Sequence, residues 1–266
     1  MSTVLITGCS SGFGKATAEL FLERGWKVIA TMRTPAASTI EGPVDRLRIL
    51  PLDVADAHSI QNAVGEAKGA FGGVDALVNN AGTGIYAPLE TTSMDATRGL
   101  FETNTFGVIA LSRALVQHMR ERGSGTIVNV TSSVVFNPSA FVSVYSATKA
   151  AVEAFSEALY HEVAQFGIRV KVVEPGYGPD TKFGSSMLAL NDPSTFPPAY
   201  QQLLAAAMNN IQTATTSLQD VAEAVFRAVN DQGPTLQYPA GSDSIAIAKR
   251  RAELSAEDFL TDRQLL

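Results

Sequence analysis

The feature that most constrains the fold of this chain is a regular alternation of short apolar runs and longer amphipathic segments. The apolar runs are shorter than typical helices, and most carry apolar side chains on both faces, as buried strands do. The predicted strands are residues 4–6, 26–31, 46–50, 75–78, 126–131, 169–173 and 236–238. The predicted helices between them are residues 15–24, 58–71, 94–122, 143–166 and 217–230.

Strands that are buried on both faces and alternate with helices indicate a parallel sheet that is covered by helices on each side. Because connections between parallel strands are right-handed, the pattern predicts a doubly wound, Rossmann-like α/β fold. We expect a single domain over residues 1–266, since no internal repeat or low-complexity tail divides the chain. The alternation breaks at residues 177–216, which are rich in Pro, Gly, Ser and Asn, and this segment is predicted to form a small helical substrate lid.

Composition limits both the partners and the compartment of the protein. Hydrophobic residues form 45% of the 266 residues, enough for a sizeable core, and the net charge of −6 makes nucleic acid and anionic membranes poor partners. The single cysteine, Cys9, excludes an intrachain disulfide and fits a reducing compartment. There is no signal-peptide pattern, and no apolar run reaches the roughly 18 residues of a membrane span. We therefore expect a cytoplasmic protein.

A glycine-rich turn joins the first predicted strand to the first predicted helix. Its sequence, TGCSSGFG, places Gly8, Gly12 and Gly14 where the backbone can turn sharply and approach a pyrophosphate group. The N-terminus of the following helix offers free N–H groups and a partial positive charge to the same anion. Glycine clusters also occur in plain tight turns, but the succession of strand, turn and helix favours dinucleotide binding.

The spacing Gly-x3-Gly-x-Gly resembles the motif TGxxxGxG of the short-chain dehydrogenase/reductase family rather than the commoner Gly-x-Gly-x2-Gly fingerprint. Further motifs of that family follow in the right order, so that the resemblance spans residues 3–181. They are Leu52-Asp53-Val54, Asn79-Asn80-Ala81-Gly82, Asn104, Ser132, Tyr145 and Lys149. The resemblance implies a cofactor site that includes Gly8, Gly12, Phe13, Gly14, Asp53, Val54, Asn80, Ala81, Gly82, Tyr145 and Lys149.

Tyr145 and Lys149 are the predicted proton-transferring pair. They are four residues apart on a predicted helix, so both side chains lie on one face, a turn apart. Tyrosine has an ordinary pKa of about 10, and a nearby ammonium favours the phenolate and lowers that pKa. We therefore expect Tyr145 to act as general acid/base toward a carbonyl or a secondary alcohol. Such a pair alone is usually an ordinary helix surface, and it is the upstream motifs that favour catalysis.

The resemblance implies two further catalytic residues, Ser132 and Asn104. Ser132 stands 13 residues before Tyr145, which is the family's spacing for the serine that hydrogen-bonds the reacting oxygen. The spacing disfavours the adjacent Ser133. Asn104 resembles the asparagine that bends its helix and holds a water linked to the lysine, although an asparagine in a helix more often makes a local backbone bond. The sequence contains no Cys/His cluster, so we expect no metal, and no histidine is suggestively placed as a base for Ser132.

The end of the second predicted strand indicates the cofactor. NAD-binding folds carry an acidic residue there, which accepts a hydrogen bond from the ribose 2′-hydroxyl. In the sequence VIATMRTPA, Met32 stands at that position and Arg33 follows it. A guanidinium can bind the 2′-phosphate of NADP through two hydrogen bonds, and the hydroxyls of Ser10 and Ser11 could add contacts. The sequence therefore predicts NADP(H), the alternative being that Arg33 is merely a solvated loop residue.

Pro175 and Gly176 end the sixth predicted strand and resemble the family's Pro-Gly motif, which lies beside the nicotinamide. Relatives usually carry a threonine shortly afterwards that contacts the carboxamide, and Thr181 is the candidate in this chain. It stands one residue later than that pattern and follows a stiff Gly-Pro pair.

The 177–216 segment carries many apolar side chains and few charges, which favours an apolar ketone or aldehyde as substrate, although these residues could simply pack the lid on the core. They are Tyr177, Phe183, Met187, Leu188, Phe196, Tyr200 and Met208. The sequence LQYPAGSD, from Leu236 to Asp243, resembles hydroxysteroid and retinol dehydrogenases of the family. A hydroxysteroid dehydrogenase or a 3-oxoacyl-thioester reductase is the alternative enzyme. An NADP-sensing regulatory protein is the alternative of another class, but it would not need the full catalytic set.

The resemblance also implies a homodimer or homotetramer, because relatives commonly pair through two long central helices. The predicted helix 143–166 is apolar on more than one face. Its small residues are Ala147, Ala150, Ala151, Ala154 and Ala158, and its larger apolar residues are Val152, Phe155, Leu159 and Val163. One face would pack on the sheet and the other would need a partner, either a second copy of the chain or a neighbouring element of the same chain.

Overall fold

A computed structural model describes residues 1–189, 192–211 and 216–261 of the chain. The strands of this part are β1 Thr3–Ile6, β2 Lys27–Met32, β3 Leu47–Pro51, β4 Ala76–Asn79, β5 Gly125–Val130, β6 Ile168–Pro175 and β7 Gln237–Ala240. They form one parallel sheet in the order β3-β2-β1-β4-β5-β6-β7. The strand order reverses between β1 and β4, and open sheets of this kind bind ligands at the carboxyl ends of the strands beside that point.

Helices cover both faces of the sheet. In the described residues they are α1 Gly12–Glu23, α2 Ala57–Gly69, α3 Met94–Phe101, α4 Gly107–Arg122, α5 Ser143–Val163, α6 Lys182–Ala189, α7 Gln201–Ile211, α8 Leu218–Asn230, α9 Ser242–Glu253 and α10 Ala256–Thr261. The first and eighth pack on one face, around Phe21 and Val225, and the second, fourth and fifth pack on the other, around Leu111 and Leu159. The doubly wound, Rossmann-like fold that the sequence predicts is confirmed.

The predicted helix 94–122 is continuous in the structure, but it is not regular. A π-helical turn, Glu102–Phe106, lies between α3 and α4. Such a turn is frequent at functional sites and displaces the side chains that follow it. It carries Asn104, which the sequence already singles out as a catalytic candidate.

The last two helices, α9 and α10, are not predicted from the sequence. In α9 the run Ile245-Ala246-Ile247 alternates like a strand, and Ile245 is 54% exposed, so no apolar helical face is readable. Polar contacts hold this helix instead. Ser244, its buried residue, donates its hydroxyl to the Glu174 carbonyl at 2.6 Å.

The described part of the 177–216 segment contains α6, α7 and two short turns, Pro193–Thr195 and Pro198–Tyr200. Buried Met187 and Phe196 attach it to an apolar cluster beneath it, which includes Phe141 and Tyr145. The side chains of Leu188 and Met208, which the sequence analysis names, lie outside the described residues. The helical character predicted for this segment is therefore present, and it covers the region where Tyr145 lies.

No helix in the described part of the chain combines the length and the apolar composition that a membrane span requires. The predicted cytoplasmic location remains a prediction.

Candidate active site

The turn after β1 and the loop after β4 are in close contact, and two glycines make that contact possible. Gly8 has a φ of +72°, and a Cβ atom there would lie 2.8 Å from the Cα of Ala81. A Cβ atom on Gly14 would lie 2.4 Å from both the Gly8 carbonyl oxygen and Asn80 Nδ2. Any side chain at these positions would force two backbones apart, so the tight turn depends on glycine.

Hydrogen bonds join the same two loops. The Thr7 hydroxyl accepts the N–H groups of Asn80 at 3.0 Å and Ala81 at 2.9 Å. In return, Asn80 Nδ2 donates to the Thr7 carbonyl at 2.9 Å. The predicted residues Gly8, Asn80 and Ala81 therefore belong to a single surface at the carboxyl edge of the sheet.

Ser132, Tyr145 and Lys149 meet beside this surface. Ser132 begins the turn that follows β5, and the other two lie on one face of α5. The Ser132 side chain hydrogen-bonds the Tyr145 phenol. Lys149 Nζ donates to the Val130 carbonyl at 3.0 Å and lies 5.9 Å from the centre of the Tyr145 ring. The structure thus brings together the three residues that the sequence predicts to act together.

The pKa of Tyr145 corrects one prediction. Burial raises the pKa of Tyr145 to about 12, and the hydrogen bond from Ser132 opposes this rise. Burial also lowers the pKa of Lys149 to about 8, while the charge of Glu153 opposes that fall. The sequence predicts that the Lys149 ammonium lowers the pKa of Tyr145 below its ordinary value. Here the shift has the opposite direction, because desolvation of the buried phenol is its largest cause, and Tyr145 is protonated at neutral pH.

Asn104 is fully buried and ties three elements together. Its Nδ2 donates to the Thr83 carbonyl at 2.8 Å and to Thr148 Oγ1 at 3.1 Å, and its Oδ1 accepts the Thr83 N–H at 2.9 Å. A Cβ atom on Gly82 would lie 3.4 Å from Asn104 Oδ1 and 3.5 Å from Lys149 Nζ. Asn104 therefore holds the loop after β4 against α5, close to the lysine.

The rim of the site at the end of β2 carries no acidic side chain. Met32 is buried where NAD-binding folds place an acid, and Arg33 is exposed, with no hydrogen bond or ion pair to any described residue. Ser11 precedes α1, and its hydroxyl makes no hydrogen bond to the helix N-terminus. Exposed Asp53, whose carboxylate accepts the Ala55 N–H at 3.0 Å, follows β3.

These features fit a dinucleotide. At Gly8, Gly12 and Gly14 the turn has no side chain that would keep a pyrophosphate away from its backbone, and α1 begins at Gly12. Ser10 and Phe13 belong to this turn, and buried Val54 follows Asp53 in the chain.

The turn after β6 closes the site. Gly176 donates its N–H to the Ala240 carbonyl at 3.0 Å, and a Cβ atom on Gly176 would lie 2.2 Å from the Asp243 carboxylate. Thr181 donates its hydroxyl to the Gly178 carbonyl at 2.8 Å. Its methyl group would lie 3.5 Å from a Cβ atom on Gly12. Thr181 therefore lies near the glycine turn. The position of Pro175 and Gly176 beside a nicotinamide and the contact of Thr181 with a carboxamide remain predictions.

Sequence reasoning missed Asp243 as a residue of this region. Its carboxylate accepts the Tyr177 N–H at 2.9 Å and the Thr216 hydroxyl, so one side chain holds both ends of the 177–216 segment. The only signal was the resemblance of the sequence LQYPAGSD to related enzymes, which does not say what Asp243 contacts.

Apolar side chains pack around Tyr145. The Tyr145 and Phe183 rings are 5.5 Å apart, and the Phe141 and Phe196 rings are stacked at 5.8 Å. A cavity of about 430 Å³ opens beside this cluster; it is lined by Thr83, Ile85, Thr91, Thr92, Ser93, Ala96, Gly99 and Leu100. The side of Tyr145 that faces Phe183 is therefore apolar.

Comparison with known proteins agrees with this geometry. The chain matches the family model described as short chain dehydrogenase over residues 2–188. Retinol dehydrogenase 8 of Bos taurus is 34% identical over 252 residues, which cover 88% of this chain and 80% of that protein. A short-chain dehydrogenase structure from Streptomyces avermitilis superposes with a TM-score of 0.85 at 34% identity, covering 99% of this chain and 97% of that one.

Two further structures differ in their cofactor. A short chain dehydrogenase from Burkholderia cenocepacia in complex with NADP has a TM-score of 0.76 at 26% identity, covering 100% of this chain and 97% of that one. The 3-ketoacyl-(acyl-carrier-protein) reductase from Brucella melitensis, complexed with NADH, has a TM-score of 0.77 at 26% identity, covering 90% of this chain and 96% of that one.

Proposed function

The chain belongs to the short chain dehydrogenase family of oxidoreductases, and we propose that it is an NADP(H)-dependent reductase of apolar ketones or aldehydes. The observation that carries the proposal is the set formed by Ser132, Tyr145 and Lys149, in which the phenol is buried and protonated at neutral pH. A protonated phenol is the form that can donate to a carbonyl oxygen.

The proposed reaction needs one proton and one hydride. Reduced nicotinamide, when bound, supplies the hydride to the carbonyl carbon. Tyr145 donates its phenolic proton to the carbonyl oxygen, so that the O–H bond of Tyr145 breaks as the O–H bond of the alcohol forms. Ser132 hydrogen-bonds the same oxygen and orients it. The Lys149 ammonium stabilises the phenolate that remains, and Asn104 holds the adjacent loop.

The cofactor preference rests on the end of β2. A buried methionine replaces the acid, and exposed Arg33 is available for a 2′-phosphate. Since relatives are known with NADP and with NADH, family membership alone does not decide. The residues that would hold the cofactor are Gly8, Ser10, Ser11, Gly12, Phe13, Gly14, Arg33, Asp53, Val54, Asn80, Ala81, Gly82, Tyr145, Lys149, Pro175, Gly176 and Thr181.

The substrate preference rests on the apolar cover. Phe183 and Phe196 belong to the proposed lid, 177–216, and their rings contact those of Tyr145 and Phe141. In addition, the chain is similar to retinol dehydrogenase 8 over most of the length of that protein. A hydroxysteroid dehydrogenase fits the same cover. A 3-oxoacyl-thioester reductase is less well supported, since the net charge of −6 disfavours an acidic carrier.

We further propose a homodimer or homotetramer that pairs through α4 and α5. Ala147, Ala150, Ala154 and Ala158 are exposed along one face of α5, and Phe106 beside α4 is 53% exposed. Small residues allow close approach of a second helix, and a two-fold contact between copies would cover this face. Light scattering coupled to gel filtration measures the mass, and a single-chain mass for the active protein would contradict the proposal.

The decisive experiment follows NADPH consumption with a panel of ketones, aldehydes, steroids and acyl thioesters. The proposal expects turnover with at least one apolar carbonyl. Tight NADPH binding without turnover of any panel member would instead favour a nicotinamide-sensing regulatory protein, the alternative of another class.

A further inference from the structure

Two buried carboxyl groups lie behind the catalytic pair and have no part in the reaction described so far. Glu153 follows Lys149 by one helical turn on α5 and is 8% exposed, and Glu174 on β6 is fully buried. A buried ionised group is costly unless other groups compensate its charge. The hydrogen-bond partners of the two carboxyl groups therefore show which of them carries a charge.

Each of the two carboxyl oxygens of Glu153 has a hydrogen-bond donor. The Thr131 hydroxyl donates to Glu153 Oε1 at 2.6 Å, and Gln237 Nε2 donates to Oε2 at 3.4 Å. Glu174 Oε2 accepts the Tyr238 N–H at 2.9 Å, but its Oε1 has no hydrogen-bond partner among the described residues. Two neighbouring carboxyl groups resist being ionised together, so the charge stays on the one that has donors for both oxygens.

The direction of the pKa shifts agrees with this assignment. Burial, together with the charge of Glu153, raises the pKa of Glu174 to about 9, so Glu174 is protonated at neutral pH. The pKa of Glu153 is raised too, mainly by burial and also by the charge of Glu157, but its hydrogen bonds with Thr131 and Gln237 and the charge of Lys149 oppose this rise.

Lys149 is the nearby group whose protonated form a negative neighbour stabilises. It is 5% exposed, and burial pulls its pKa down to about 8, while Glu153 pulls it up. The ammonium donates to a backbone carbonyl and not to Glu153, so the attraction acts through the interior of the protein, where it is stronger than in water. The titratable groups that face Glu153 are Lys149 and Glu157 on α5 and Glu174 on β6.

We propose that Glu153 is a positioning residue that keeps Lys149 protonated, with Glu174 as its neutral partner, and thereby sets the upper pH limit of carbonyl reduction. The inference rests on the proposed function, because it assumes that Lys149 must be an ammonium when Tyr145 gives up its proton. Reduction would be fastest while Lys149 is protonated and would be lost as the pH rises through the pKa of Lys149.

The test is Glu153→Gln, which removes the charge and keeps the shape of the side chain. Loss of a negative neighbour lowers the pKa of Lys149, so the alkaline limb of the kcat/KM profile should move to lower pH by about one unit. A second measurement does not depend on turnover. Carbon NMR of isotopically labelled lysine in the cofactor-free protein, assigned with Lys149→Met, should show the same downward shift of the Lys149 titration.

Two matched variants decide between charge and structure. Glu174→Gln replaces a neutral carboxyl by a neutral amide, and Glu157→Gln removes an exposed charge from the same helix, so neither should move the Lys149 titration. No shift in Glu153→Gln, or an equal shift in Glu174→Gln, would overturn the proposal. If Glu153→Gln fails to fold, Thr131→Val is the substitute, because it removes one hydrogen-bond donor to Glu153. It should shift the Lys149 titration in the same direction by a smaller amount. No shift in Thr131→Val would also overturn the proposal.

Failure of this inference is distinguishable from failure of the proposed function. Turnover that survives Tyr145→Phe would contradict the proposed function. Turnover that depends on Tyr145, with an unchanged Lys149 titration in Glu153→Gln, would contradict the role of Glu153 alone.

Discussion

Polar contacts hold together the floor of the site, whereas apolar side chains attach the proposed lid, 177–216, above it. The floor consists of the loops after β1, β4 and β5, the π-helical turn Glu102–Phe106 and the first two turns of α5. Within the floor, Thr7 binds the loop after β4, Asn104 binds Thr83 and Thr148, and Lys149 binds the end of β5. The lid lies on ring contacts, such as that of Phe183 with Tyr145, and Asp243 holds both of its ends.

This difference matches the two tasks of the site. Hydrogen bonds are directional and fix atoms to within a few tenths of an ångström, as proton and hydride transfer require. Apolar contacts are not directional and tolerate rearrangement, so a lid built on them can admit substrates of different shape. Substitutions in the floor should therefore lower kcat or cofactor binding for every substrate, whereas substitutions in the lid should change KM in a substrate-dependent way.

The largest effect is expected in the floor, for Tyr145→Phe. The ring keeps its packing and only the proton-donating hydroxyl is lost, so kcat should fall at least about a thousandfold while NADPH still binds. Steady-state kinetics and fluorescence titration of NADPH measure both quantities. Tyr160→Phe, on the same helix, is the matched control and should be close to wild type. A near-wild-type rate in Tyr145→Phe would refute the assigned mechanism.

Gly14→Ala should weaken the cofactor site next. The added methyl group would lie 2.4 Å from the Gly8 carbonyl, a backbone atom that cannot rotate away, so the turn must open. We expect the Kd for NADPH to rise about a hundredfold, because an opened turn would fit the pyrophosphate less closely. Gly65→Ala is the control, because a Cβ atom there meets open space and should stabilise α2 by about 0.5–1 kcal/mol. Equal binding in Gly14→Ala would show that the turn is not rigid.

Arg33→Ala tests the rim of the site at the end of β2. The intact protein should prefer NADPH over NADH at least tenfold, about 1.4 kcal/mol, which is the scale of one charge-assisted contact. Arg33→Ala should remove most of that preference, mainly through the KM for NADPH. Arg120→Ala, an exposed arginine in the last turn of α4, should leave it unchanged. Equal use of both cofactors by the intact protein would contradict the NADP assignment.

The smallest effect is expected in the lid, for Phe183→Ala. Loss of the ring over Tyr145 should change KM about threefold to tenfold, in opposite directions for bulky and small carbonyls, while kcat changes about twofold or less. Exposed Leu203 on α7 provides the control variant, Leu203→Ala, which should match wild type. A uniform fall in kcat for all substrates would instead place Phe183 with the floor and remove the distinction between the two regions.

The success of each sequence prediction depends on how far apart in the chain the residues that it involves lie. Alternation of apolar runs, the glycine spacing and the four-residue separation of Tyr145 and Lys149 are local patterns, and the structure places these residues together as expected. A helix keeps residues i and i+4 on one face whatever surrounds it, so this part of the site is readable from the chain alone.

Tertiary structure alone decided the rest. The pKa of Tyr145 is raised because burial is a property of the packed chain, and no local pattern states how much water a side chain will lose. Glu174 experiences the charge of Glu153 on α5, and Asp243 meets both ends of the lid, only because the fold brings distant residues together. The sequence by itself therefore determined most of the strands and helices, the glycine turn, and the position of Tyr145 and Lys149 on one helix face, because each depends on neighbours in the chain. The protonation state and the anchoring of the lid depend on contacts between residues far apart in the chain, and these exist only once the sheet has formed.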